Sequence, residues 1–173
     1  INDVGIKGIT TQFQDLLDKF GKLNANKVGT AEFDNLIKNS AQSLCQLFNL
    51  AASKLQDVKD NYETKYKEEV GNVDTLIQNI RDINEQIRKA DINGDSALEL
   101  RDQRNTLLDE LSQYMKVDIT YDKEDLGAGV EIEKLTIKMV DKSTGKPSYT
   151  LVDGINSANI EMNDDYSINV SAL

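Results

Sequence analysis

Apolar residues recur at steps of three and four through much of the chain. Phe33, Leu36, Ile37, Ala41, Leu44, Phe48, Ala51, Leu55, Val58 and Tyr62 share one helical face. Tyr66, Val70, Val73, Ile77, Ile80, Ile83, Ile87 and Ala90 continue it. The spacing predicts a single amphipathic helix of about 60 residues, roughly 90 Å long at the rise of an α-helix. A typical globular helix has about 11–12 residues, so this one is suited to spanning and assembly rather than to enclosing an active site. Between Tyr62 and Val70 the steps lengthen to successive fours, a pattern that resembles a coiled-coil stutter. Gly71 lies there too, at about 1 kcal/mol against Ala. A continuous or slightly bent helix is the reading; two stacked helices are the alternative.

Upstream, Ile9, Phe13, Leu16, Leu17 and Phe20 predict a short helix with Thr10 or Thr11 as N-cap and Gly21 at its end. Asn24–Asn26 and Gly29 mark the connection, and Thr30 is the N-cap of the long helix. Downstream, Asp91-Ile-Asn-Gly-Asp95 is a stop, with Gly94 suited to a left-handed position and Ser96 to capping the next helix. Leu100, Arg104, Leu107, Leu108, Leu111 and Met115 then repeat at helical steps. A connection of about five residues makes this helix fold back antiparallel along residues 73–90.

At Lys116 the period changes from 3.6 to 2. Val117, Ile119 and Tyr121 alternate with polar residues, as in a half-buried strand. Val130 and Ile132 alternate, and Leu135, Ile137 and Met139 continue on the other parity, which predicts a bulge near Glu133-Lys134. Tyr149 and Leu151, then Ile160 and Met162, then Tyr166, Ile168 and Val170 complete a set of short strands. Asp141–Pro147 and Asn163–Asp165 are the hairpin turns. The expected fold is mainly α in an α+β chain: an elongated helical rod over 1–116 with a very long helix and an antiparallel hairpin, then a small antiparallel β domain over 117–173. The strand region is marginal as an independent core and is expected to continue beyond Leu173.

Composition narrows the function. Among 173 residues, 20 basic and 30 acidic side chains give a net charge of −10, which argues against a nucleic-acid partner. Apolar residues make up 39% and aromatics 6%, with no Trp: enough for a narrow seam, not for an aromatic-lined pocket. No run of 18 apolar residues marks a membrane span. Ile1-Asn2-Asp3 carries neither an initiator Met nor a signal-type apolar run, so an excised piece of a longer chain is expected. With no His there is no triad base and no imidazole metal ligand. The single Cys45, between Leu44 and Phe48, is expected to pack in the core as a small hydrophobe.

Candidate chemistry is thin. Asp91, Asn93, Asp95, Glu99 and Asp102 fall at the oxygen-ligand positions of an EF-hand-type calcium loop, with the Ala97 carbonyl at the seventh position and Leu98 at the eighth. Ser96, however, stands where the turn needs Gly, and Asp102 where a bidentate Glu is usual. Asp, Asn and Gly between helices are also ordinary turn residues. Gly127-Ala-Gly129 and Thr144-Gly-Lys146-Pro147 lack the remaining residues of phosphate-binding motifs. Asp109 and Glu110 diverge on adjacent helix positions, and Arg101, Asp102 and Arg104 suit local ion pairs worth a few tenths of a kcal/mol each. No enzyme, cofactor or metal is predicted. The residues expected to matter are the apolar seam: Leu44, Phe48, Leu55, Ile77, Ile80, Ile83, Ile87, Leu100, Leu107, Leu108, Leu111 and Met115.

The hairpin carries a resemblance. Leu98-Glu-Leu-Arg-Asp-Gln-Arg-Asn-Thr-Leu-Leu-Asp-Glu-Leu-Ser112 resembles the "LLDQRDxLLDELS" helix of the bacterial flagellar hook-associated protein 1 family. Ile80-Arg-Asp-Ile-Asn84-Glu-Gln86-Ile87 is similar to that family's "IxxLNxQI" spacing. Ala41 to Leu55 resembles its "AxxLxxxFNxLxxxL" segment, and residues 1–23 more weakly its "INDxxxxGLSTxLxxFF" stretch. Arg101 and Asn105 depart from the Leu and Asp more usual there, and the family's terminal heptads are missing, which suggests a trimmed piece holding the outer domains. The resemblance implies an extracellular structural subunit at the hook–filament junction, exported through the flagellar secretion apparatus without a cleaved signal peptide. Its implied partners are copies of itself, hook protein and neighbouring junction proteins, with an export chaperone for the full-length chain and no membrane. The piece alone is expected to be monomeric. A secreted helical coiled-coil adaptor or adhesin, and a calcium-binding helical module using residues 91–102, are the alternatives.

Overall fold

The computed structural model describes residues 3–22, 29–127, 129–171 and 173, so Ile1, Asn2 and the expected Asn24–Asn26 connection lie outside the described residues. Three helices precede six strands: α1 (Asp3–Gly21), α2 (Ala31–Ile92), α3 (Leu98–Tyr114), β1 (Val117–Asp125), β2 (Glu131–Val140), β3 (Pro147–Asp153), β4 (Asn156–Ser157), β5 (Ile160–Met162) and β6 (Ile168–Val170). The α+β fold expected from the change of period is the one adopted. The chain forms two compact units, Ile1–Thr64 and Lys65–Leu173. That division lies within α2.

In the first unit, α1 begins at Asp3, so Thr10 and Thr11 lie inside the helix rather than at its cap. Helical spacing continues upstream of Ile9, and a 19-residue helix absorbs the cost of Gly8. Thr30 stands at the start of α2, its carbonyl accepting the Asp34 N–H at 3.0 Å. A polar triad joins α1 to α2: Lys19 Nζ lies 2.5 Å from Asp15, and the Ser40 hydroxyl donates to Asp15 at 2.8 Å. Ser40 and Leu44 are the buried side chains of this unit among the described residues. Phe13, Leu17, Phe20, Phe48, Leu55 and Val58 stay about half exposed, and Tyr62 more so. Cys45 is exposed, not packed in a core: one residue past the buried Leu44, it is turned about 100° around the helix from it.

In the second unit the back of α2, α3 and the strands share one core. Val70, Val73, Ile77, Ile80, Leu108 and Leu111 pack with Leu135, Ile137, Leu151, Val152 and Ile160. Here lies the physical reason that the strands do not separate from the helices: the inner face of a sheet this small needs an apolar cover. α2 runs through Gly71 without a break, the Thr75 hydroxyl donating to the Gly71 carbonyl at 2.9 Å. It stops at Ile92, and Gly94 takes φ 78° as the turn requires. Ser96 is not the cap of α3. Ala97 occupies that position at φ 48° with no side-chain cap, and the Asp95 carboxylate accepts the Ala97 N–H at 3.1 Å in an Asx-type turn that leads into the helix. Arg101 meets Asp91 and Arg104 meets Asn84, which makes α3 antiparallel to the end of α2.

The main sheet has the order β1-β2-β3-β4, and β5-β6 form a second, two-stranded sheet, all antiparallel. β1 and β2 pair without interruption from Val117↔Met139 to Asp125↔Glu131, so no bulge lies at Glu133-Lys134. The change of parity there has another cause: Ile132 and Leu135 are both buried, on opposite faces of β2. The register instead shifts between β2 and β3, at Ile137–Val140. Val130 precedes β2, and Tyr166 sits in the β5–β6 turn at φ 65° rather than in a strand. β4, two polar residues long, carries no hydrophobic pattern to announce it.

These burials separate two classes of substitution. Ile80→Ala, at a fully buried position, is expected to lower the unfolding free energy by about 2–5 kcal/mol through the cavity it leaves. Phe48→Ala, at a half-exposed position, should cost well under about 1 kcal/mol. Thermal melts followed by circular dichroism test the contrast; equal losses would show the front stripe to be as buried as the back.

Candidate functional site

The described residues bring their polar chemistry together where the hairpin meets the sheet. Asn84 on α2 and Arg104 on α3 each replace an apolar residue on the packed face of their helix. Both are buried, at 6% and 3% exposure. Arg104 donates to Asn84 Oδ1 at 3.0 Å and to Glu133 of β2 at 2.6 Å. Its guanidinium also lies 5.3 Å from the centre of the Tyr121 ring on β1, within cation–π range. Asn84 uses its other group to donate to the Gly154 carbonyl at 2.9 Å, just past β3. Two side chains thereby tie α2, α3, β1, β2 and the β3–β4 turn together.

Arg101 extends the network by one helical turn. It grips both Asp91 oxygens at 2.8 and 2.9 Å and reaches the same Glu133 oxygen at 2.7 Å. Both bonds to Asp91 come from the one nitrogen Nη2; the two-nitrogen fork that fixes direction as well as distance is made by Arg88 on Glu124. The pairs expected to be local on α3 are therefore long-range. Arg88 of α2 holds Glu124 of β1 at 2.5 and 3.2 Å. The hydrogen bond from Arg88 keeps the Glu124 carboxyl below its ordinary range. Lys134 does the same for Asp153 across β2 and β3, with Thr136 assisting.

A second polar row runs along α2 toward β4 and β5. Asp74 accepts the Ile160 N–H at 2.8 Å. Gln78 donates to the Ala158 carbonyl at 3.2 Å and accepts from the Ser157 hydroxyl at 2.9 Å. The polar faces of the helices suggest a solvated surface, yet Asp74, Gln78, Asn84 and Arg88 are struts to the strands. One signal was available: Asn84 and Arg104 interrupt apolar faces, and a polar residue on such a face needs a partner.

The seam residues fall in three groups. Leu44, Ile77, Ile80, Ile87, Leu108 and Leu111 are buried; Ile83, Leu100, Leu107 and Met115 are half-buried; Phe48 and Leu55 are about half exposed. The calcium alternative meets a geometric obstacle. Asp91 is committed to Arg101, Asp95 to a backbone N–H, and Glu99 and Asp102 are exposed positions of α3. Among the described residues no group of three or more acidic or thiol side chains is placed to hold a metal ion. Nor, among them, is any helix long and apolar enough to cross a membrane.

A helical hairpin carrying a small sheet, with Asn84 and Arg104 buried between them to fix one layer on the other, defines a structural domain. The chain belongs to the family described as the flagellar hook-associated protein FlgK helical domain, which it matches over residues 1–172. It is 24% identical over 166 residues to "Flagellar hook-associated protein 1" of Bacillus subtilis (strain 168), covering 95% of this chain and 32% of that protein. The chain thus spans about a third of the length of that relative. No solved structure matches it. The two helix segments that carry the resemblance are the ones that meet, through Asn84 and Arg104.

Arg104→Ala is expected to lower stability by about 2–4 kcal/mol, at the low side of breaking a buried pair because Arg101 still holds Glu133. Urea unfolding would measure it, and a loss below about 0.5 kcal/mol, the scale of a surface change, would show the network to be incidental. The carboxyls of Glu124 and Asp153 are both held low in the folded state. Their contribution is present above the unfolded carboxyl values and is lost as pH falls through the folded ones. Melting temperature should therefore fall as pH drops below about 4, and Glu124→Gln should flatten that slope while lowering the melting temperature at pH 7.

Proposed function

We propose that this domain is an outer structural part of the junction that joins the flagellar hook to the filament. The observation that carries the reading is the family match across residues 1–172. The geometry supports it: the buried polar groups of the second unit orient helices against strands, as a part transmitting force requires. On this reading the domain catalyses nothing. The parent protein is exported through the flagellar secretion apparatus, with a chaperone, and works outside the cell. It packs beside copies of itself and against hook protein and neighbouring hook-associated junction proteins. Torque passes through the stack because burial of the Ile77–Ile80–Leu111 core at about 25 cal/mol per Å² resists deformation.

Deleting the coding region for residues 1–172 in the source bacterium tests this. Hooks should still form, filaments should fail to attach, and filament subunits should appear in the medium. Normal filaments with full motility would overturn the reading. An unchanged flagellum with loss of surface adhesion would favour the adhesin alternative.

A further inference from the structure

The second unit presents four sheet edges, and three are closed. β1 carries Asp118, Asp122, Lys123, Glu124 and Asp125, charges that discourage pairing with another strand. β4 is two residues long. The outward N–H of Ile160 on β5 is taken by Asp74 of α2 at 2.8 Å. β6 differs from all of these. It pairs with β5 as Ile160↔Val170, Glu161↔Asn169 and Met162↔Ile168. Asn163 N–H donates to the Ser167 carbonyl and Ser171 N–H to the Asn159 carbonyl, so hydrogen-bonded pairs alternate at 163/167, 161/169 and 159/171. The N–H and C=O groups of Ile168 and Val170 therefore point away from β5, to the outer edge. That edge, Ile168-Asn169-Val170, has no charge, no Pro and no bulge, and Ile168 is 49% exposed.

The same strand borders an apolar groove of about 280 Å³. Ile168 and Val170 line it together with Val70 and Val73 of α2 and with Tyr114 and Tyr149, which are 40% and 58% exposed. Tyr and Met in place of Lys mark the core of a protein interface. A strand added to β6 would place alternate side chains in this groove, the arrangement by which extended segments dock on sheet edges.

We propose that the outer edge of β6 and the adjoining groove receive an extended strand from the remainder of the full-length protein. This rests on membership of the family and is independent of the junction role. Two observations select the occupant. A two-stranded sheet is not self-sufficient and gains stability from a third strand, while the chain represents 32% of its relative's length, leaving ample polypeptide in the longer protein to supply one. A strand tethered in the same molecule competes at high effective concentration, whereas a second copy brings another −10 of charge. The incoming strand should be apolar at alternate positions, with a basic residue opposite Glu69, the charged side chain lining the groove.

Amide hydrogen exchange on the 173-residue chain and on the full-length protein tests the proposal. The Ile168 and Val170 amides should exchange about 100-fold more slowly in the full-length protein. Val170→Pro, which removes an outward N–H and spares the backbone pairing with β5, should abolish the Ile168 protection in the full-length protein; because Val170 also packs against the core, the same variant of the short chain should melt a little lower and stay folded. Equal exchange in the two proteins would overturn the proposal. Protection already present in the short chain, rising with its concentration, would overturn it in favour of a second copy.

Discussion

The second unit depends on one constraint: neither the hairpin nor the sheet can bury its apolar face alone. α2 and α3 offer a stripe of Ile and Leu, and β2 and β3 offer Leu135, Ile137, Leu151 and Val152; the four meet in a single core. Everything polar in the unit is arranged around that meeting. Asn84 and Arg104 pass through the contact, Arg101 and Arg88 flank it, and Asp74 and Gln78 reach past its other side to β4 and β5. Dividing helices from strands would leave both stripes in water.

A buried guanidinium is costly unless its charge and its donors are answered. For Arg104 the Glu133 carboxylate supplies the charge, Asn84 an acceptor and Tyr121 a ring face, while the buried Nε has no hydrogen-bond partner among the described residues. Glu133 is itself shared with Arg101, so two cations lie on one carboxylate, and Asp91 supplies the second negative charge. The four charges balance in pairs, which makes the burial tolerable. Ion pairs of this kind add little net stability compared with apolar residues of the same size. Their contribution is direction: an apolar contact slides, a hydrogen-bonded pair does not.

The elements carried by periodicity were legible. The long stripe, the stop at Gly94, the returning helix and the change of period at Lys116 each leave a repeated local signal in the chain. The features that escaped are those that depend on partners distant in sequence. Phe48 and Leu55 have the spacing of core residues and stay half exposed, since spacing shows that a face exists and not that something covers it. The parity change at Ile132–Leu135 looks like a bulge and is instead a strand buried on both faces. Ser96 has cap chemistry, but the chain turns one residue later at Ala97, which Asp95 holds by its N–H and which leaves α3 without a side-chain cap. Arg104 keeps the helical step of an apolar residue, and its partners lie 20 and 29 positions away.

The two units reach helicity by different physics. Helix formation in isolation is weak, and most helical stability in proteins comes from packing an apolar face. In Lys65–Leu173 the helices have that packing, together with struts to the strands. In the first unit the described helices bury Ser40 and Leu44 and otherwise rely on local terms, among them Lys19 with Asp15 and Gln56 with Asp60. Such i,i+4 contacts are worth a few tenths of a kcal/mol each. The second unit therefore holds its shape through its own core and struts, while the apolar face of the first stays largely exposed among the described residues.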